Sequence, residues 1–277
     1  MKIFENKVAI ITGSGRGIGQ ALALKLAKAG AKIVVNDLDK IPAEETLHQI
    51  EQLGGQGVPC IGSVTEQGFA DKVIATAMNQ FSGIDIIVNN AGFTWDNVIQ
   101  KMSDEQWQAI IDCHLTAPFQ ILRAAQPHIK QLVLKEKEQG LINHRKVVNI
   151  SSTSGVFGNA GQINYAAAKS GIVGLTKTMA KEWGRYHVNV NAVAFGLIQT
   201  RLTDADASKE NSTINIEGNE IKVGVSAQFH SMAKDMIPLG RLGTVQEAAG
   251  AIYLLCLPES DYITGQCLVC HGGGFGL

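Results

Sequence analysis

Residues 7–30 read KVAIITGSGRGIGQALALKLAKAG. The stretch changes period halfway. It opens as a short aliphatic, β-branched run, breaks at glycines, and continues with apolar residues at helical spacing. A glycine turn between a strand and a helix lets the backbone approach a pyrophosphate and aims the helix N-terminus at it. The spacing here, Gly13-x-x-x-Gly17-x-Gly19 with Gly15 inside it, is looser than G-x-G-x-x-G. Its place after a first strand and at the start of a first helix is nevertheless the context such a motif requires. Gly13, Ser14, Arg16, Gly17, Ile18 and Gly19 are therefore candidates to hold a dinucleotide.

The same alternation continues outward. KIVVN (32–36), GVPCI (57–61), IDIIV (84–88), KVVNI (146–150), VNVNAV (188–193) and CLVC (267–270) read as further strands. Amphipathic stretches such as FADKVIATAMNQF (69–81) lie between them. Strands alternating with helices predict βαβ units on a parallel sheet covered on both faces. Capping boxes, Ser103-x-x-Gln106 and Thr244-x-x-Glu247, mark two later helix starts. Residues 201–237 break the rhythm, and long irregular segments in compact domains are often functional. Within them INI and EIKV flank Glu217-Gly218-Asn219, which predicts a small hairpin inside a substrate lid. The charged stretch KEKEQGLINH (135–144) is expected to extend into solvent.

Of the 277 residues, 45% are hydrophobic and 18% charged, and the formal net charge is −1. That balance gives no electrostatic argument for nucleic acid or an anionic membrane surface. No apolar run approaches the ~18 residues of a membrane span. The first strand begins too early to leave room for a cleavable signal peptide, and Phe275-Gly276-Leu277 resembles no import signal. Five scattered cysteines suggest a reducing compartment, so the cytoplasm is the expected address. Cys267 and Cys270 form a C-x-x-C on a strand, where the two side chains point to opposite faces, and are read as structural. No metal site is expected.

Asp37 closes the second strand run, 24 positions after Gly13. A carboxylate there can accept from the adenosine ribose and repel a 2′-phosphate, which favours NAD. Arg16 pulls toward NADP, because a guanidinium in the turn could hold a 2′-phosphate. Asp37 is given priority as the more direct filter.

Taken together, TGSGRGIG (12–19), NNAG (89–92), NISS (149–152) and Tyr165-x-x-x-Lys169 in GQINYAAAKSG (161–171) resemble the short-chain dehydrogenase/reductase family. The resemblance covers residues 7–273. It implies a single doubly wound Rossmann-type α/β domain, here 1–277, with a seven-stranded parallel sheet flanked by helices. It implies that Tyr165 exchanges a proton with the substrate oxygen, and that Lys169 holds the nicotinamide ribose and lowers the Tyr165 pKa. Ser152 would then hydrogen-bond the substrate carbonyl, with Ser151 structural. An unperturbed tyrosine has a pKa near 10, and each tenfold strengthening of the acid requires about 1.4 kcal/mol of preference for the phenolate. The cofactor contacts implied are Ser63 and Val64, Asn90, Ala91 and Gly92, then Gly196, Ile198 and Thr200. Asn89 would support the sheet and line the adenosine side.

The sequence departs from the family pattern at several of these places. The asparagine expected in the helix after NNAG is His114, which offers one donor and one acceptor when neutral; it is kept among the catalytic candidates. The aspartate expected after the third strand is Ser63, and the proline expected before Gly196 is Phe195. Residues 90–111 and 158–169 resemble the 3-oxoacyl-[acyl-carrier-protein] reductases within the family, through Asp96-Asn97, Met102, Glu105 and Trp107. The implied substrate is a 3-oxoacyl thioester, carried by coenzyme A or by an acyl carrier protein that could dock on Lys181, His144 and Arg145. A steroid, sugar or secondary-alcohol dehydrogenase is the alternative, and a non-enzymatic nucleotide sensor the more remote one. The family commonly forms tetramers, so a homotetramer is expected, through the long helices around 104–130 and 163–185 and the last helix and strand.

Overall fold

The computed structural model describes residues 2–200, 213–216, 219–222 and 235–274. Seven strands form one parallel sheet: β1 (Val8–Ile11), β2 (Lys32–Asp37), β3 (Gln56–Ile61), β4 (Ile86–Asn89), β5 (Arg145–Ser152), β6 (Val188–Phe195) and, last in the chain, β9 (Cys267–Cys270). Their order is β3-β2-β1-β4-β5-β6-β9. The order reverses between β1 and β4, and in open α/β sheets the crevice at such a switch point is where ligands bind. All seven strand runs read from the sequence are present.

The sheet is sandwiched because its strands are apolar on both sides. Ile11, Val35, Val88 and Val148 pack with helices α1 (Gly17–Lys28), α2 (Lys40–Gln52) and α8 (Val245–Cys256) through Leu22, Leu26, Ile50 and Ile252. Their strand neighbours Ile10, Val34, Ile87 and Val147 face the other layer. There they meet α3 (Phe69–Phe81) and α5 (Ala117–Glu138) through Phe69, Val73, Ile121 and Leu122. Alternate residues serving opposite layers is the period-two rule of a strand.

Three further helices complete the site's frame: α4 (Asp104–Ile111), the short α6 (Thr153–Phe157) and α7 (Ile163–Trp183). Both predicted capping boxes form, at Ser103 and Thr244. The anticipated hairpin is present as β7 (Thr213–Ile216) and β8 (Asn219–Lys222), paired antiparallel. The rest of the 201–237 lid, apart from 235–237, lies outside the described residues. Residues 135–144 are not simply a solvent-facing extension. Glu136 and Asn143 turn inward, where Asn143 donates to Asp85 at 2.7 Å and Arg145 pairs with Glu136 through two bonds of 2.9 and 2.6 Å. Arg145 is thereby buried, which removes it from any docking face. Among the described residues no helix is long and apolar enough to cross a membrane.

Candidate active site

The nucleotide end is built from main chain. Helix α1 starts at Gly17 with no side-chain cap, so the N–H groups of its first turn are free to face an anion. A Cβ on Gly19 would lie 2.2 Å from the Gly13 carbonyl oxygen, and Gly17 sits at φ +59° with open space around it. These glycines are what let the turn close on itself and a ligand approach it. Ser14 donates from its hydroxyl to Ile11 O at 2.8 Å and is wholly buried, so it braces the turn from inside.

Asp37 accepts from the Gly15 and Asp39 N–H groups, both at 3.1 Å. Arg16 donates to Asp39 at 2.7 Å and lies 3.9 Å from Asp37. The two charges weighed against one another in the sequence therefore stand side by side. Asn90 donates to the carbonyl oxygens of Thr12 and Gly13 at 2.9 and 3.0 Å, while Thr12 Oγ1 accepts from the N–H groups of Asn90 and Ala91. After β3, Val64 is buried and Ser63 hydrogen-bonds Thr65 at 2.7 Å.

The chemical end is built from side chains at the C-terminal ends of β4, β5 and β6. Ser152 ends β5 and caps α6, accepting from Ser154 N at 3.2 Å, and its hydroxyl faces the Tyr165 phenol closely enough to favour the phenolate. Lys169, one turn after Tyr165 on α7, is buried and donates to Ile150 O at 2.7 Å, with its ammonium 5.6 Å from the Tyr165 ring centre. Ser151 donates to Lys169 O at 2.7 Å. Gly155 brings α6 against this helix, since a Cβ there would meet Lys169 main chain at 2.5 Å.

His114 sits in a π-helical turn, Asp112–Thr116, between α4 and α5. Such turns are rare and frequent at functional sites. Its Nε2 is 2.6 Å from Phe93 O; a carbonyl only accepts, so Nε2 carries the proton. Its buried Nδ1 has no hydrogen-bond partner among the described residues. The ring stands edge-on to Tyr165, centres 5.1 Å apart. A Cβ on Gly92 would strike its Cε1 at 2.2 Å, so the glycine of NNAG makes room for this imidazole.

The electrostatics correct one expectation. Loss of water around the phenol pushes Tyr165 up to about 12, against the lowering effect of Ser152, and Asp96 and Cys113 add to the rise. Burial brings Lys169 down to about 8. The protein alone thus favours the neutral phenol, because desolvation outweighs the lowering effect of Ser152. His114 is held well below its usual value by burial and by Lys169, opposed by the Phe93 bond, so it is neutral at pH 7.

Three other placements bear on the sequence reading. Asn89 does not line the adenosine side: it donates to Asn149 at 2.7 Å inside the sheet, and Asn149 donates on to Thr176 of α7 at 2.9 Å. Gly196 donates to Cys270 O at 3.0 Å and is backed by His271. Ile198 bridges to Gly243 after β6, and Thr200 is the last described residue before Thr213. Residues missed by sequence reasoning are Asn36 and Asn164. Asn36 accepts from Gly13 N and donates to Cys60 O and Gly62 O, tying the glycine turn to β3. Asn164 donates to Trp95 O and Gln106 O and fastens α7 to α4. A polar residue inside a buried strand, or directly before the tyrosine, was the available signal.

A glycine turn at a switch point, joined across one crevice to a serine–tyrosine–lysine cluster, defines a nucleotide-dependent oxidoreductase. The family model for short chain dehydrogenase matches residues 7–211. A 3-oxoacyl-[acyl-carrier-protein] reductase of Synechocystis is 39% identical over 269 residues, 96% of each chain. Those of Thermotoga maritima and Escherichia coli are each 35% identical, covering 97% and 98% of this chain and 98% of the relative in both cases. The chain belongs to the short-chain dehydrogenase family.

Proposed function

We propose that this protein interconverts a 3-oxoacyl thioester and its 3-hydroxyacyl thioester, using NAD(H). The observation that carries the reading is the convergence of Ser152, Tyr165 and Lys169 on the crevice beside an uncapped α1 N-terminus. The residues fit a nicotinamide dinucleotide: Gly13, Arg16, Gly17, Ile18 and Gly19 would cradle its pyrophosphate, and Asp37 its adenosine ribose. Ser14, expected from the sequence among the contacts, is wholly buried and bonded to Ile11 and Asn36, and supports the turn from behind. Ser63, Val64, Asn90, Ala91 and Gly92 would border the adenine and its ribose, with Gly196, Ile198 and Thr200 on the nicotinamide. When bound, it supplies the hydride.

In the reductive direction Ser152 donates to the substrate carbonyl oxygen and Tyr165 transfers its proton there. A phenol kept neutral is in the right state for this step. Lys169 steadies the resulting phenolate by its charge, and His114 supports the Tyr165 ring as a neutral partner. NAD is preferred because Arg16 is engaged by Asp39 and flanked by Asp37, two carboxylates that would repel a 2′-phosphate.

The thioester assignment is supported by the relatives being 3-oxoacyl-[acyl-carrier-protein] reductases and by the 90–111 segment. Coenzyme A and an acyl carrier protein both remain as carriers. We read the whole chain, 1–277, as one unit with 201–237 as its lid, acting in the cytoplasm. A homotetramer is supported by exposed Leu254 on α8, Tyr262, and Leu268 on β9. The test is the initial rate of acetoacetyl-CoA reduction with NADH and with NADPH. A clear NADH rate is expected. A rate with NADPH only overturns the cofactor choice, and none with either overturns the thioester reading in favour of other secondary alcohols.

A further inference from the structure

Gln162 stands at the N-cap of α7, yet its side chain makes no capping bond to the helix. It is used elsewhere, in three directions. Its Nε2 donates to Asp96 Oδ2 at 2.7 Å. Its Oε1 accepts from Ser154 Oγ and from Asn159 Nδ2, both at 2.9 Å. Beside it Asn97 N donates to Gly161 O at 2.9 Å, and Asn97 and Gln162 form a parallel bridge. One amide thus joins three separate stretches: the 93–97 segment after β4, the α6 turn that begins at Ser152, and the start of α7 three residues before Tyr165.

We infer that Gln162 is a positioning residue that clamps the Ser152 loop to the 93–97 segment, with Asp96 as its anchor. The inference rests on the catalytic reading of Ser152 and Tyr165. Those two side chains reach the crevice from different elements, and the α6–α7 connection between them contains two positive-φ glycines, Gly158 and Gly161. Such a connection needs an external tie to hold one geometry. Ser154 provides the link: its hydroxyl is held by Gln162 while its N–H donates to Ser152 Oγ at 3.2 Å. The chain Asp96–Gln162–Ser154–Ser152 therefore sets where the serine hydroxyl stands relative to the phenol.

The chemistry demands an amide at 162. It must donate to a carboxylate on one side and accept from a hydroxyl and an amide on the other. Gln162→Glu keeps the acceptor side but sets two carboxylates against each other at Asp96. Asp96→Asn alone is milder, because an amide oxygen still accepts from Gln162. The double change Gln162→Glu with Asp96→Asn rebuilds the bond with its donor reversed.

The experiment is this double-mutant cycle, read as kcat for acetoacetyl-CoA reduction and as NADH affinity. Gln162→Glu should lower kcat roughly 10- to 100-fold, the scale of a misplaced catalytic group. The double variant should recover to within about fivefold of the parent by restoring that placement. NADH affinity should stay level throughout, since none of these bonds touches the glycine turn. An unchanged kcat in Gln162→Glu overturns the clamp. So does a double variant no better than the product of the singles, the result expected if Asp96 acts on substrate through its charge. If the parent itself does not reduce the thioester, the substrate reading fails separately, and the clamp is then read by amide hydrogen exchange. Faster exchange over 93–97 and 153–162 in Gln162→Glu, reversed in the double variant, supports it; unchanged exchange overturns it.

Discussion

The two ends of the crevice are made of different material. At the glycine turn the groups offered to a ligand are main-chain ones, and side chains such as Ser14, Asn36 and Asn90 fix that main chain. At the Tyr165 end the backbone is strand and helix with one π turn, and the candidate working groups are side chains whose charge depends on burial. A site made of main chain tolerates little change in shape but much in composition. A site made of side chains is the reverse.

The largest expected effect breaks the chemical end alone. Tyr165→Phe should reduce turnover by about 10²–10⁴-fold or more, the usual weight of a proton donor. NADH titration should still give near-parent affinity, and loss of folding instead would remove the assigned role. Gly19→Ala attacks the other end. Its Cβ would sit 2.2 Å from Gly13 O and 2.6 Å from Asn90 Nδ2, so the turn must move. Nucleotide affinity should fall by at least roughly tenfold, with an overpacking cost of about 1–3 kcal/mol in thermal unfolding.

Two smaller effects sharpen the contrast. Asp37→Ala should raise the NADPH-to-NADH ratio of kcat/KM without changing the pH dependence; an unchanged ratio would sink the role given to that carboxylate. For the parent enzyme, reduction should be level between about pH 6.5 and 7, since His114 is already neutral there. It should decline as pH rises through about 8, where Lys169 loses the proton whose charge steadies the phenolate. His114→Asn should keep activity within about tenfold and leave that profile in place, because its proposed work is support and not proton transfer.

How much of this was legible in the sequence follows the same division. Glycine spacing and aliphatic runs express backbone requirements, so the seven strands, the turn and the two capping boxes could be read directly. Ser152, Tyr165 and Lys169 were legible as a motif. What their surroundings do to them was not, because desolvation depends on the packing of β5, α4 and α7 together. Asn89 and Asn90 are neighbours of one type, and only the pleat decides that one faces the sheet interior and the other the turn. Arg145 looked like a surface cation because its partner Glu136 comes from a segment that seemed purely solvated. Gln162 was passed over because its anchor, Asp96, lies 66 residues away in the chain.

The π turn at Asp112–Thr116 has a consequence for chain length. A π turn spans one residue more than the α turn it interrupts, so the α4–α5 rod carries one surplus position. Removing one residue there would let the rod run on as continuous α-helix. Ile110 on one side and Ile121 and Leu122 on the other would keep their present faces, because the wider turn is what absorbs the surplus position. The loss would fall on the pentapeptide itself, whose imidazole would be turned away from Phe93 and Gly92. A single-codon deletion in this pentapeptide would therefore spare the packing of both flanks and remove the histidine's place beside Tyr165.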